Sequence, residues 1–327
     1  MSTVQLLLLF CCLMLVNACG QPSVQSNFRD YQNQISDEFN IAMQLNTDRV
    51  AIRYPSSEDI KVIIPETTIK LSDFYGLKHC SVSLLIAQRN TALGKVQLPS
   101  KRFAYEVQLI QGLRDCLQRT HEKDKQQQLR QWIAQKQQML PLVWAHMVLH
   151  SSEIRGSFTT KTELFSQIGQ QQLHSYQDSL RLLVALYSPT ASDIENLELA
   201  LNTLRKQSLA AQLWYSQRQL TRWLNDMNKH LQQQFNDVSC SSTATSTQLE
   251  NLKKLYDDTF IKKIQPTTDR LIDVANLLTP HFKKLQENPI LAKPFTDFLG
   301  QRELDFEAYI EALRIHKSLW QELFNRC

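Results

Sequence analysis

Apolar residues return every third or fourth position through most of this chain. That period leaves the α-helix as the main way to bury them. Phe28, Tyr31, Ile35, Phe39 and Ala42 mark the first such stripe. Glycine scarcity tightens the constraint. The chain has 327 residues and 7 glycines, whereas β-sandwiches, Rossmann enzymes and P-loop enzymes need glycine at tight turns and phosphate loops. Apolar residues make up 43%, enough for a folded core. The reading is all-α: a bundle of long antiparallel helical hairpins with one extended, proline-containing segment at about residues 46–71.

That segment holds Pro55, Pro65 and the β-branched run Val62-Ile63-Ile64, and a short β-hairpin is expected around Ser56-Ser57. A helix is predicted from about Ser72 to Thr91 and another after Pro99, with Ser100 as its N-cap. Gly94 lies between them, where a positive φ is expected. The two helices should pack as an antiparallel hairpin. Leu129, Trp132, Met139, Val143 and Met147 mark a helix that Pro141 should kink or break. The next runs from about Gln170 to Tyr187. The longest opens at Ser192-Asp193-Ile194-Glu195, a capping-box pattern, and extends to about Phe235. Thr247-Gln248-Leu249-Glu250 repeats the pattern and opens a helix that Pro266 should bend. These last two should form a long hairpin. A final helix covers about Gln301 to Asn325.

The apolar run Leu6 to Val16 sets the compartment. As a helix its eleven residues span about 16 Å against a hydrocarbon core of about 30 Å. It is too short to cross a membrane and suits a signal-peptide core. It ends in Val16-Asn17-Ala18-Cys19-Gly20, which is similar to the lipobox of bacterial lipoproteins. By that resemblance residues 1–18 are a leader and Cys19 takes the lipid. Residues 19–27 are a tether, and Gly20, in place of Asp, favours a periplasm-facing position on the outer membrane. The length from Gly20 to Asn27 reaches at most about 27 Å. Two or more acyl chains hold a protein firmly. Residues 28–327 are then a helical domain, either one unit or two subdomains at 28–189 and 190–327.

Seven cysteines divide accordingly. Cys11 and Cys12 leave with the leader, and Cys19 is lipidated. Cys80, Cys116, Cys240 and Cys327 remain, and an exported compartment permits disulfides. Cys80 shares a stripe with Leu77 and Leu84, and Cys116 one with Leu109 and Leu113, at comparable distances from the turn around Gly94. That supports Cys80–Cys116. Cys240 sits in a loop and Cys327 ends the last helix, which supports Cys240–Cys327. No C-x-x-C is present for zinc.

Catalytic patterns are sparse. His146 and His150, with Glu153 one turn on, have a spacing that can hold a metal, but the glutamate of H-E-x-x-H is missing. An interfacial pair is the expected role, and no metal or cofactor is expected. His79 beside Cys80 suggests a Cys–His nucleophile only if that thiol is free. No G-x-S-x-G, Walker A or G-x-G-x-x-G occurs. The most distinctive stretch places Arg89, Asn90, Lys95, Ser100, Arg102, Tyr105 and Glu106 around one helix–helix connection. Caps and ion pairs explain most of it. Its functional reading is a net-basic patch for an anionic partner, such as a lipid headgroup or cell-wall polymer. The net charge of +4 gives no case for nucleic acid.

The lipobox, the segment from Cys80 through R-N-T-A-L-G-K and P-S-K-R-x-x-Y-E to Cys116, and Cys327 together resemble an uncharacterised family of proteobacterial envelope lipoproteins. The resemblance implies envelope location and lipidation, and carries over no catalytic residue. The expectation is a lipid-anchored envelope protein, a non-enzymatic scaffold with a protein or cell-wall partner. The alternatives are an envelope hydrolase or lyase with an inter-helix site, and a lipid-binding carrier.

Overall fold

A computed structural model of the chain describes residues 23–44, 46, 48, 50–65, 67–91, 94, 97–159, 163–165, 168–238, 240 and 243–327. Cys11, Cys12, Cys19 and the tether up to residue 22 lie outside them. Among the described residues there is no strand, and no helix is long and apolar enough to cross a membrane.

Helix α1 spans Val24–Phe39. The Ser23 hydroxyl accepts from the Ser26 amide at 3.1 Å, and Asn40, at φ 49°, ends the helix in the left-handed conformation that asparagine tolerates. Short helices α2 (Leu71–Gly76) and α3 (Val82–Arg89) follow, then α4 (Pro99–Arg119) and α5 (Lys123–His150). The single helix expected over 72–91 is thus two, and Cys80 lies in the turn between them. From that turn it forms the disulfide to Cys116, with Cα atoms 5.5 Å apart. Gly112 lets this turn approach, since a Cβ there would lie 3.1 Å from the Val82 side chain. Pro99 takes the first helical turn of α4 and Leu98 the cap, so Ser100 is buried and is not the N-cap. Pro141 does not break α5. Gln137, whose carbonyl loses its amide partner, is exposed to water, and the helix ends at Ser151 instead.

Helices α6 (Ser152–Phe158), α7 (Gln170–Ala185), α8 (Ala191–Glu195), α9 (Leu197–Gln207) and α10 (Leu209–Asp237) come next. The long helix expected over 192–235 is therefore three. Thr190 is the cap, its amide and hydroxyl both donating to Asp193 Oδ2 at 2.7 Å. Ser208 adopts φ 44° and separates α9 from α10. The Tyr176 hydroxyl accepts from the Ala210 amide at 3.2 Å, so a side chain from α7 completes the start of α10.

Helix α11 (Thr243–Leu255) begins before the expected box at Thr247 and runs into a π-helix, Tyr256–Ile264. Pro266 follows directly, at the start of α12 (Gln265–Gln286). The wider π turn accommodates a ring that lacks an amide hydrogen. Helix α13 covers Lys293–Arg326, longer than the predicted 301–325, with Pro294 in its first turn. Cys327 is bonded to Cys240, Cα atoms 5.1 Å apart.

The hairpins α4/α5, α7/α9 and α12/α13 are antiparallel. An interface as extensive as that of α4 with α5, however, joins α10 to α13, and these run parallel. Trp214 meets Phe298, Arg218 meets Asp305, and Phe235 meets Trp320. Helix α10 thus takes α13 as its main partner rather than forming the expected long hairpin with the helix that follows it.

Residues 41–70 carry neither helix nor strand where described; a turn at 57–60 replaces the expected hairpin. Ser56 Oγ holds that turn by accepting from the Asp59 amide at 3.2 Å. The segment's carbonyls accept from side chains of the helices beneath. Asn46 O takes Trp223 Nε1 (2.9 Å) and Gln219 Nε2 (3.0 Å), Asp48 O takes Arg222 Nη1 (3.0 Å), and Ala51 O takes Arg218 Nη1 (2.8 Å). Ile60 O takes His150 Nε2 (3.1 Å). Met43, Ile52 and Ile60 enter the core.

Two apolar clusters fill the interior. The larger extends from Phe28 to Leu323. The smaller gathers Leu77, Val82, Ile86, Tyr105, Leu109, Leu113, Leu129 and Ile133 around the Cys80–Cys116 bond. At the centre of the larger is His316, fully buried. Its Nδ1 lies 2.8 Å from Asn228 Oδ1, while Asn228 Nδ2 donates to Ala312 O. This fixes the tautomer. Nδ1 carries the hydrogen, and Nε2 accepts from Tyr31 Oη (2.9 Å) and Trp320 Nε1 (3.3 Å). A second proton on Nε2 would face the Trp320 donor. Burial, with Lys317 adding, pushes the imidazole down to about 3 from 6.5. Below about pH 6.5 the unfolded chain binds a proton that the folded chain refuses. This contribution to stability is intact above that pH and lost progressively toward about pH 3, at up to about 1.4 kcal/mol per pH unit. Urea midpoints measured across that window should fall with acidity, and less steeply in His316→Gln.

Candidate functional site

Helix α4 separates the two cores. Phe103 and Val107 enter the larger, while Tyr105, Leu109 and Leu113 face the smaller at helical spacing. Tyr105 is the shared wall of two openings. One, of about 260 Å³, is lined by Thr67, Ile69, Ile86, Asn90, Trp132 and Lys136 beside it. The other, of about 410 Å³, is lined by Arg89, Gln97, Lys101 and Glu198. Burial pushes the Tyr105 phenol up to about 12, with the neighbouring Glu106 carboxylate adding and Arg89 opposing. At neutral pH it is an uncharged hydrogen-bond donor at the junction of both openings.

Of the sequence-predicted residues, Arg89, Asn90 and Tyr105 come together here. The Arg89 guanidinium stands 6.0 Å from the Tyr105 ring centre and donates to Gly94 O. Gly94 does not have a positive φ. It is needed for close approach, since a Cβ would collide with Gln88 O and lie 2.7 Å from Arg89 O. Glu106 is behind the wall, paired with Lys136 at 3.0 Å. Ser100 is buried, and Arg102 lies close enough to His146 to act on its charge. Lys95 lies outside the described residues. The single basic patch of the sequence is therefore divided between the two openings and the helix interfaces behind them.

Lys136 was not legible as a member of this site by local motif. Glu106 and Lys136 sit at equal distances either side of residue 121 in the α4/α5 hairpin, and counting from that turn is the signal that finds it. Trp132, one turn before it on α5, closes the same opening.

The histidine pair is built differently. His146 and His150 lie side by side with ring centres 4.8 Å apart and planes tilted by 34°. Burial pushes His146 down to about 4, with His150 and Arg102 adding. Burial also lowers His150, with Arg155 adding, while its hydrogen bond to Ile60 O opposes. Glu153 starts the next helix, where it accepts from Ser152 Oγ at 3.2 Å. Among the described residues Glu153 does not gather with the two imidazoles into a metal-ligand cluster. The grouping that does form is His79, Cys80 and Cys116. Both sulfurs are in the disulfide, so neither is a thiolate able to ligate or attack.

A profile described as a protein of unknown function, DUF3080, matches residues 28–327. The chain belongs to this family. No curated protein and no solved structure matches it. The DUF3080 region contains both disulfides and both openings at Tyr105, and the family description attaches no activity to either.

The Glu106–Lys136 pair is the electrostatic keystone of the smaller opening, with side chains 9% and 14% exposed. Removing one partner leaves a buried charge uncompensated. Lys136→Met should cost about 3 kcal/mol or more, and adding Glu106→Gln should recover most of it. Denaturant unfolding of the two variants and the double variant measures this.

Proposed function

We propose that this chain is an exported lipoprotein that works as an interaction module rather than an enzyme. Residues 1–18 are removed and Cys19 carries the lipid. The tether, expected to reach residue 27, is shortened by the start of α1 at Val24 to the residues between Cys19 and that helix, which link the helical body to the periplasmic face of the outer membrane. The observation that carries the reading is the cysteine pairing. All four cysteines of the DUF3080 region are joined, which fits an oxidising compartment. Of the cysteines in the chain, Cys19 alone follows small residues at the end of a short apolar run. The disulfides fix the turn at Cys80 and the end of α13.

The partner surface in this reading is the Tyr105 region. Arg89 and Lys101 offer positive charge on one side, and Trp132, Ile86 and Asn90 offer apolar and amide contacts on the other. Such a surface suits an anionic cell-wall segment or an envelope protein with an acidic and apolar face. The decisive experiment is mass spectrometry of the protein isolated from membranes. The expected result is an N-terminal residue Cys19 with added acyl mass, and release of Cys19→Ser from the membrane fraction. An unmodified Cys19 in the isolated protein overturns the reading.

A further inference from the structure

A third opening lies far from Tyr105 in sequence. It has a volume of about 510 Å³ and runs between the extended segment and the parallel α10–α13 pair. Its walls carry Arg53, Arg218 and Arg222 against one carboxylate, Asp305. Arg218 and Arg222 are fixed by the extended segment, each through one Nη1 on a main-chain carbonyl. A guanidinium has five N–H donors in a planar fork, so each retains donors for the groove. Arg53 is exposed and, among the described residues, has neither a hydrogen-bond nor an ion-pair partner.

Behind the wall is Arg302, 8% exposed. Its Nη2 lies 3.1 Å from Asp305 Oδ2, and Arg218 Nε lies 3.8 Å from the same oxygen. Arg302 Nε and Nη1 are buried with no protein acceptor. Arg218 and Arg302 share the Asp305 carboxylate, while Arg53 and Arg222 line the groove with no carboxylate of their own among the described residues, so four guanidiniums around one carboxylate leave an excess of three positive charges. Holding like charges together at partial burial is unfavourable unless an anion completes the set.

The geometry points to this groove as a binding site for a phosphate group, either free or as part of a polar headgroup. Guanidinium forks match phosphate oxygens in pairs. Two of the forks are already oriented by main-chain carbonyls, so little side-chain freedom is lost on binding. A groove of this size takes a phosphate together with a small polar body. Asp305 sets the opposite wall and disfavours a second anionic group on that side. The site is independent of the lipid anchor and of the Tyr105 openings.

The test is calorimetric titration of the full chain with inorganic phosphate and with glycerol 3-phosphate, and co-sedimentation with phosphatidylglycerol vesicles. Saturable binding is expected, weakening as salt is added. Arg53→Ala, which removes no described contact, should weaken it at least about tenfold without changing the melting profile, and Arg53→Lys should weaken it less. Binding of both soluble phosphates without Arg53-dependent sedimentation assigns a free ligand. Sedimentation that falls in Arg53→Ala assigns a headgroup and separates it from attachment through Cys19. The proposal is overturned if no phosphate form binds saturably, or if Arg53→Ala binds as the unaltered chain does.

Discussion

An extended main chain with no neighbouring strand must find other acceptors and donors, because a buried carbonyl left unpaired is costly. The segment from Met43 to Ile64 meets this requirement with side chains. Trp223, Gln219, Arg222 and Arg218 serve it from one face of α10, and His150 serves it from the end of α5. Much of the molecule's polar surface chemistry follows. Two of the groove arginines, Arg218 and Arg222, are held there by the segment's exposed Ala51 and Asp48 carbonyls. His150 is committed to the Ile60 carbonyl, which leaves the His146–His150 pair as a packing element with depressed basicity rather than an open metal site.

The division of labour along α4 shows how a helix between two cores creates sites at its edges. Residues one apart point to different environments. Tyr105 closes two openings, while Glu106 is turned inward against Lys136. A linear reading of Arg89 to Glu106 merges these environments into one basic patch. The period of the helix separates them.

The all-α class and the antiparallel packing of α3 on α4 across Gly94 were legible because apolar spacing and a short connection are local signals. Cys80–Cys116 was legible through the same hairpin, although Cys80 reaches its partner from a turn and not from a helix stripe. The breaks were less accessible. Ser208 divides a continuous apolar pattern because Tyr176, from another helix, satisfies the Ala210 amide. Pro141 is tolerated because the orphaned Gln137 carbonyl meets water, whereas Pro266 draws a π-helical segment ahead of it. The groove arginines come from three separated stretches, Arg53, Arg218 with Arg222, and Arg302, and no spacing rule joins them. Only the parallel packing of α10 on α13 does.

That parallel packing also bears on how the body assembles. Helices running the same way cannot be joined by a tight turn. Between α10 and α13 the chain passes through α11, the π-helix and α12, so this extensive interface closes a loop of three helical elements. The entropy of that closure must be met before the interface contributes. The α4/α5 hairpin closes over Thr120 to Glu122 alone. Topology thus favours an order in which the local hairpins form quickly and the central pair, with His316 sealed between its partners, sets the pace of folding.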